Sequence, residues 1–576
     1  MSLTRRELVK YGLSASGVFL LPLQFPKKAL ADSTSTETST KTAPWSSFKT
    51  PLTIPPVLLP HESDNKDNID YYEIVMSKGN QQFAGRSATY EFWGYNGIFP
   101  GPTIKQRQDR QAEVSFVNKL GTTNIGRNGC PQAGNPEDIK AVVHLHGMPS
   151  LPQYDGYAED YIHPNQYKQY IYPNNRAATF WYHDHQLART MRNVGMGLVG
   201  MWIVQDDLEC DLNLPEGKYD VPLIFQHPPF TWQAAEPTVS EPDKTYIKCE
   251  NGTISYAEDN PPTLINGVYQ PLMQVDTHKY RFRLLNATAY ELYTLALVSY
   301  DQKSQQSVDE SIIVVGTDSG LTHHPVSTSD LLFAMADRYE IIIDFNNRPI
   351  GSKMALVDRD IDGVDTPLIC FEVANVVTDN SVVPYTLRPY RPVPPDIASP
   401  DHPPDEVFLF DFSGITSCDP TGAGAINGKV WDSSRIDAQP PLGSWQKWRL
   451  INGVGADHPV HIHLLDFQIV HRLDQAGNKI PLPPYEQDRW KDVFNLGPYE
   501  TVDIVGEFGP HLGKYMMHCH NLNHEDCDMM TQFEVVDPEG KQQGDDPVTS
   551  APAVNLPSGW TPLTPVYSDT TDLCSP

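Results

Sequence analysis

Three stretches of this chain alternate polar and apolar residues with the two-residue period of a β-strand, and the same turn signal precedes each of them. Asn96-Gly97 is followed after 22 residues by Asn118 at the end of EVSFVN, Asn266-Gly267 after 20 by Asn286 at the end of YRFRLLN, and Asn427-Gly428 after 25 by Asn452 at the end of KWRLIN. Asn-Gly favours tight turns because both residues tolerate positive φ. The Asn-Gly pairs lie 170 and 161 residues apart, a domain's length. The pattern therefore predicts three antiparallel β-sandwich domains, at 45–213, 214–390 and 403–540. The Pro-rich stretch 388–404, centred on residues 391–402, predicts a stiff, extended linker. Residues 541–576, rich in Pro, Ser, Thr and Asp, predict a loosely held tail.

The N-terminus departs from this pattern. Arg5, Arg6 and Lys10 precede an apolar stretch from Gly12 to Phe25, and Ala29-Leu30-Ala31 supplies small residues for a cut. That order predicts an export signal over residues 1–31 and a periplasmic or extracellular protein. The paired arginines resemble the twin-arginine signal, which exports folded proteins. Residues 32–44 read as a flexible leader. Broken at Pro22, the apolar stretch is too short to cross ~30 Å of hydrocarbon. No other segment is long enough, so no membrane span is expected.

Composition narrows the function. With 43 basic and 72 acidic residues the formal charge is -29, which would repel a phosphate backbone and argues against nucleic acid as a partner. Pro 51 and Gly 38 favour short strands and turns over long helices. Eight Cys in 576 residues are too few for a disulfide scaffold. Cys130, Cys210, Cys249, Cys370, Cys418 and Cys574 leave room for one or two disulfides of open connectivity.

The chemistry lies in the histidines. Of 19, ten fall in four clusters: His144 and His146 in HLHG, His183 and His185 in WYHDH, His458, His461 and His463 in HPVHIH, and His518, His520 and His524 in HCHNLNH. The clusters occupy only the first and third expected domains. Residues two apart on a strand share a face, so each H-x-H presents two imidazoles together. In His518-Cys519-His520 the two imidazoles face one way and the thiol the other, so one short segment can join two metal sites. The odd offset between His458 and His461 separates them in the same way: His458 can join Cys519, while His461 and His463 join the larger cluster. His458, Cys519, His524 and Met529 then supply two imidazoles, a thiolate and a weak thioether, the blue-copper set for electron transfer. Zinc has no use for the Met and no redox chemistry.

These motifs, HLHG with Asp155-Gly156 beyond it, WYHDH, HPVHIH and HCHNLNHEDCDMM, resemble those of the three-domain multicopper oxidases, and within that family the bilirubin oxidases and spore-coat laccases. The resemblance covers nearly the whole mature chain. It implies an all-β fold of three cupredoxin-like Greek-key β-sandwich domains and four copper ions. The type 1 copper falls to His458, Cys519, His524 and Met529, and the type 2 copper to His144 and His461. One type 3 copper falls to His146, His183 and His518, the other to His185, His463 and His520. The second domain carries no copper ligand and serves as a spacer. The implied reaction couples one-electron oxidation of a small-molecule donor, phenolic or bilirubin-like, to four-electron reduction of dioxygen to water by a monomeric enzyme. Cys519 passes the electrons, and Asp155 and Glu525 match family carboxylates that supply protons.

A metal-ion oxidase is the second reading, and a copper-free structural relative a third, against which the complete ligand set speaks. Bilirubin oxidases carry an aromatic residue two positions before the first type 1 His, where this chain has Ala456; Asp457 beside it suits a cationic reductant. The thirteen Met are scattered, unlike the Met-rich segment of cuprous oxidases. His323-His324 reads as a loop feature and Cys527 as a small buried residue. Asn251-Gly252-Thr253 and Asn286-Ala287-Thr288 match glycosylation patterns that a bacterial export signal makes accidental.

Overall fold

A computed structural model of the chain describes residue 45 and residues 48–83, 89–127, 129–130, 132, 134–229, 247–250, 253–256, 262–301, 306–414, 423–569 and 573–574. The expected signal and leader lie outside them, as do Asn251, Gly252 and Cys418. The chain is mostly β, and no helix among the described residues is long and apolar enough to cross a membrane.

The three Asn-Gly pairs adopt one geometry. Asn96, Asn266 and Asn427 have φ of 53°, 50° and 55°, and the following glycines 66°, 78° and 69°. Two consecutive positive-φ residues are what a type I′ hairpin turn requires. Each Asn Oδ1 accepts from a backbone N–H of an earlier strand, that of Val75, Ile224 or Leu409, at 2.9, 2.8 and 2.8 Å. The second Asn of each repeat is also used alike: Oδ1 of Asn118, Asn286 and Asn452 accepts from the amide two residues on, at 3.0, 3.1 and 2.9 Å. Asn286 is fully buried, so its glycosylation pattern is inert.

Three cores follow, each between two sheets. In the first unit a six-stranded sheet, including Ile69–Gln82 and Gln111–Asn118, shares its core with a four-stranded sheet that includes Val143–His146, Ala178–Asp184 and Val199–Gln205. The second unit pairs two seven-stranded sheets. In the third, a six-stranded sheet with Trp445–Asn452 faces a four-stranded one ordered Val493–Leu496, His458–Ile462, Gly513–Cys519, Met530–Val535. Burial separates the sheets. Ile69–Gln82 alternates buried and accessible positions, whereas every residue of Ala178–Asp184 and His458–Ile462 is buried. A strand buried on both faces has a second neighbour beyond its own core. Here that neighbour is another unit.

Several elements differ from the sequence pattern. Thr50–Pro51, expected to open the first unit, pairs in parallel with Pro271 and Leu272 of the second. The tail is pinned to the first unit rather than loose: Val554–Asn555 pairs with Gln166 and Tyr167, Tyr567–Ser568 with Val57–Leu58, and a disulfide joins Cys574 to Cys210. Cys130 is also disulfide-bonded, and Cys370 is free and buried. The linker contains a helical turn, Pro395–Ala398, and Arg391 stacks on Trp490 at 3.9 Å. His323 and His324 lie within the strand Gly320–Thr328, not a loop. Arg281 and Arg283, the polar face of a strand, point not to water but into the boundary between units, where Glu209, Asp220 and Glu340 pair with them.

Candidate metal centre

Strand alternation assigns the faces in the third unit. On Gly513–Cys519, Met517 and Cys519 enter the unit's own core, while Met516 packs with Tyr157 and Ala158 of the first unit. On His458–Ile462, Val460 and Ile462 lie in that core and His461 stands on the other face, directly across from His518. The chain therefore builds one site inside the third unit and another on its outer face.

Inside, Cys519 Sγ lies 3.4 Å from His458 Nδ1 and 3.6 Å from His524 Nδ1. Met529 is fully buried in the same core, and its backbone bonds both partners: its N–H donates to His524 O at 3.0 Å, and its carbonyl accepts from Cys519 N at 3.1 Å. Burial pushes the Cys519 thiol up, holds His524 down to about 4, and holds His458 well below the usual imidazole range. Two neutral imidazoles turn their Nδ1 atoms toward one sulfur. Cys527, two residues before Met529, is buried.

Outside, eight imidazoles meet across the boundary between the first and third units. His144 Nε2 and His461 Nε2 are 3.4 Å apart. Their Nδ1 atoms are held by backbone carbonyls, His144 by Asp155 O and His461 by Asp492 O at 2.9 Å. His146, His183 and His520 form one potential three-ligand group, and His185, His463 and His518 another. The resemblance placed His518 in the first and His520 in the second; the structure exchanges them. His518 sits opposite His461 with Nδ1 3.2 Å from Glu525 Oε2, and Glu525 Oε1 is 3.6 Å from His185. His520, past the strand end, turns toward Trp181. Spacing puts both members of an H-x-H on one face but does not encode the direction in which two units dock.

The donors fit metal ions. His146 Nδ1, His183 Nε2 and both ring nitrogens of His520 are buried without a hydrogen-bond partner. In the other group Nε2 of His518 lies 3.1 Å from His185 Nε2 and 3.3 Å from His463 Nε2, while His463 Nδ1 meets Asp155 Oδ2 at 2.7 Å. A proton on Nδ1, donated to the carboxylate, leaves a lone pair on Nε2. Facing lone pairs in a buried site are stable only around a cation.

The two carboxylates differ. Burial pushes the Asp155 carboxyl well above the usual range, and its Oδ1 has no hydrogen-bond partner. Burial also acts to raise Glu525, but the His518 and His185 imidazoles outweigh it and hold the group down to about 2. Glu525 Oε1 accepts from the Thr190 hydroxyl of the first unit at 2.8 Å, and the neighbouring Asp526 accepts from the Thr190 and Met191 amides at 2.8 and 3.1 Å. Asp457 is buried and accepts from Asn495 Nδ2 at 3.0 Å.

Sequence reasoning missed Asp492. Its carboxylate Oδ1 is 3.1 Å from His146 Nε2 while its carbonyl holds His461. No spacing marks it. Only the pairing of His461 with Val493 brings it to the cluster.

Fold and sites together define a β-sandwich redox metalloprotein with a thiolate–imidazole site in one unit and an imidazole cluster between two. Family models described as multicopper oxidase match residues 76–209 and 389–539. The chain is 34% identical to the bilirubin oxidase of Albifimbria verrucaria over 84% of its length and 81% of the relative's. It is 31% identical to a laccase of Bacillus subtilis (strain 168), covering 85% of this chain and 99% of that one. A solved laccase from Pediococcus acidilactici superposes with a TM-score of 0.66 at 25% identity, covering 85% of this chain and 95% of that one. The chain belongs to the multicopper oxidase family, copper-dependent oxidoreductases that use oxygen and bind one type 1, one type 2 and two type 3 coppers.

Proposed function

We propose that this oxidase is an exported monomer that takes single electrons from bulky, electron-rich organic reductants, phenols or bilirubin-like tetrapyrroles. His458, Cys519, His524 and Met529 would hold the type 1 copper and His144 and His461 the type 2 copper. His146, His183 and His520 would hold one type 3 copper, with His185, His463 and His518 on the other. Bound copper supplies one-electron redox chemistry at the thiolate site and four-electron reduction of dioxygen to two waters at the cluster. The observation that carries this reading is the segment His518-Cys519-His520. Its sulfur lies 3.4 and 3.6 Å from two imidazoles of one site while its flanking rings belong to the other, so electrons have a covalent path.

The remaining roles belong to this chain's own groups. His524, the least buried member of its group, with Phe412 edge-on at 5.1 Å, offers the accessible edge at which a reductant docks. Dioxygen reduction consumes four protons: Asp155, its carboxyl raised by burial, can hold one beside the cluster, and the ionised Glu525 can accept one and pass it on. Buried and bonded to Asn495, Asp457 offers a cationic reductant little exposed charge. One chain completes both sites, which supports a monomer, and residues 1–31 support export. A steady-state comparison of bilirubin, a substituted phenol, cuprous ion and ferrous ion tests the substrate class. The organic reductants should give the higher kcat/KM; a metal ion ranking first would overturn the reading.

A further inference from the structure

Asp492, which holds two cluster imidazoles, is itself held from the second unit. Arg338, at the start of the strand Arg338–Asp344, is fully buried. Its Nη1 and Nη2 grip Asp492 Oδ1 and Oδ2 at 2.7 and 2.5 Å. Its other N–H groups donate to Ala336 O at 3.0 Å, to Asp318 O at 3.2 Å and, from Nε, to Thr179 O of the first unit at 3.1 Å. All five guanidinium donors are used, on acceptors from all three units. Asp318 holds the same segment by its backbone: Oδ2 accepts from the Asp492 and Val493 amides at 3.3 and 3.2 Å, while Oδ1 accepts from Arg338 N at 2.8 Å.

A glycine supports this independently. Gly147, which closes the HLHG motif, has φ +92°, and a Cβ there would fall 2.7 Å from both Arg338 Nη2 and Asp492 Oδ2. The motif's glycine leaves room for the ion pair beside the ligand His146.

We infer that Arg338, supported by Asp318, is a positioning residue for the cluster: by fixing Asp492 it makes His146 spend Nε2 on the carboxylate and turn Nδ1 inward, and it keeps His461 turned toward His144. The middle unit, which supplies no imidazole to the groups described, thus sets the orientation of ligands on both sides of the boundary. The inference rests on the eight-imidazole cluster holding copper.

The test uses the full-length, copper-loaded protein and the variants R338M, R338K, D492N and R338M/D492N. Copper per chain, the type 2 electron paramagnetic resonance signal, the blue absorption and copper retention against a chelator are read for each. R338M should keep the blue absorption per chain, shift the type 2 signal and release cluster copper about 10- to 100-fold more readily, the usual effect of losing a partner of a ligand. R338K, with one point contact in place of a fork, should fold and show the same shift in smaller degree. Because Arg338 acts through Asp492, the double variant should be no worse than the worse single one. Wild-type cluster signals in R338M or R338K would overturn the inference. So would losses that add in the double variant, which would make Arg338 only a brace between units. A wild-type protein whose cluster takes up no copper would instead defeat the copper reading itself, and the inference with it.

Discussion

The thiolate site and the imidazole cluster share the segment His518-Cys519-His520 yet depend on different parts of the molecule. His458, Cys519, His524 and Met529 all belong to the third unit, and three of the four lie on or beside its core strands. The cluster takes His144, His146, His183 and His185 from the first unit and His461, His463, His518 and His520 from the third. It exists only while those units stay docked. Asp155 of the first unit orients His463 of the third, and Asp492 of the third orients His146 of the first. A site inside one core inherits that core's stability. A site at a boundary inherits only the stability of the boundary, which is why buried carboxylates and arginines crowd it.

Substitutions can break this comparison at graded cost. The largest effect belongs to Cys519→Ser, which should abolish the blue absorption and oxidase turnover while leaving the cluster's copper in place, because only the link is cut. Absorbance and copper per chain check this, and a Ser variant that still turns over would contradict it. Next come Asp155→Asn and Glu525→Gln. Each should slow reoxidation by dioxygen by about 10²- to 10⁴-fold, the usual range for a general acid, while anaerobic reduction of the blue site stays near wild type in stopped-flow traces. Slowed reduction with normal reoxidation would move both residues to the reductant's side.

Asp526→Ala probes docking. It strips acceptors from the Thr190 and Met191 amides and should cost about 1–3 kcal/mol, felt as copper loss from the cluster before any loss of blue colour. Copper analysis alongside absorbance decides the order. Met529→Leu is subtler: losing a weak thioether donor should keep the colour and raise the reduction potential, and a redox titration that moves downward would exclude Met529 as the axial group. The smallest effect on chemistry is expected from Cys574→Ser. It frees the tail from Cys210 and should lower stability by about 2–4 kcal/mol while both copper spectra stay unchanged.

How much of this was legible in the sequence follows the same division. The repeat could be read because Asn96, Asn266 and Asn427 each solve one local turn with one local residue. The faces of His518, Cys519 and His520 could be read because alternation along a strand is local too. What could not be read was whatever depends on how units meet. His518 and His520 changed partners because docking direction leaves no trace in spacing. Asp492, Arg338 and Gly147 converge from three units with no shared motif. Alternation marked Arg281 and Arg283 only as polar strand positions, because their partners Glu209 and Glu340 lie 72 to 74 and 57 to 59 residues away. The tail looked loose because its composition is polar, while its strand partners and its disulfide lie in the first unit.

The central claim, that one site is local to a unit and the other belongs to a boundary, is tested most directly by titrating the copper-loaded protein with urea. The blue absorption and the type 2 electron paramagnetic resonance signal are followed in the same samples. The account predicts that the type 2 signal is lost at lower urea than the blue absorption, as the units separate before the third core unfolds. Loss of both signals at one urea concentration, or of the blue absorption first, would contradict it.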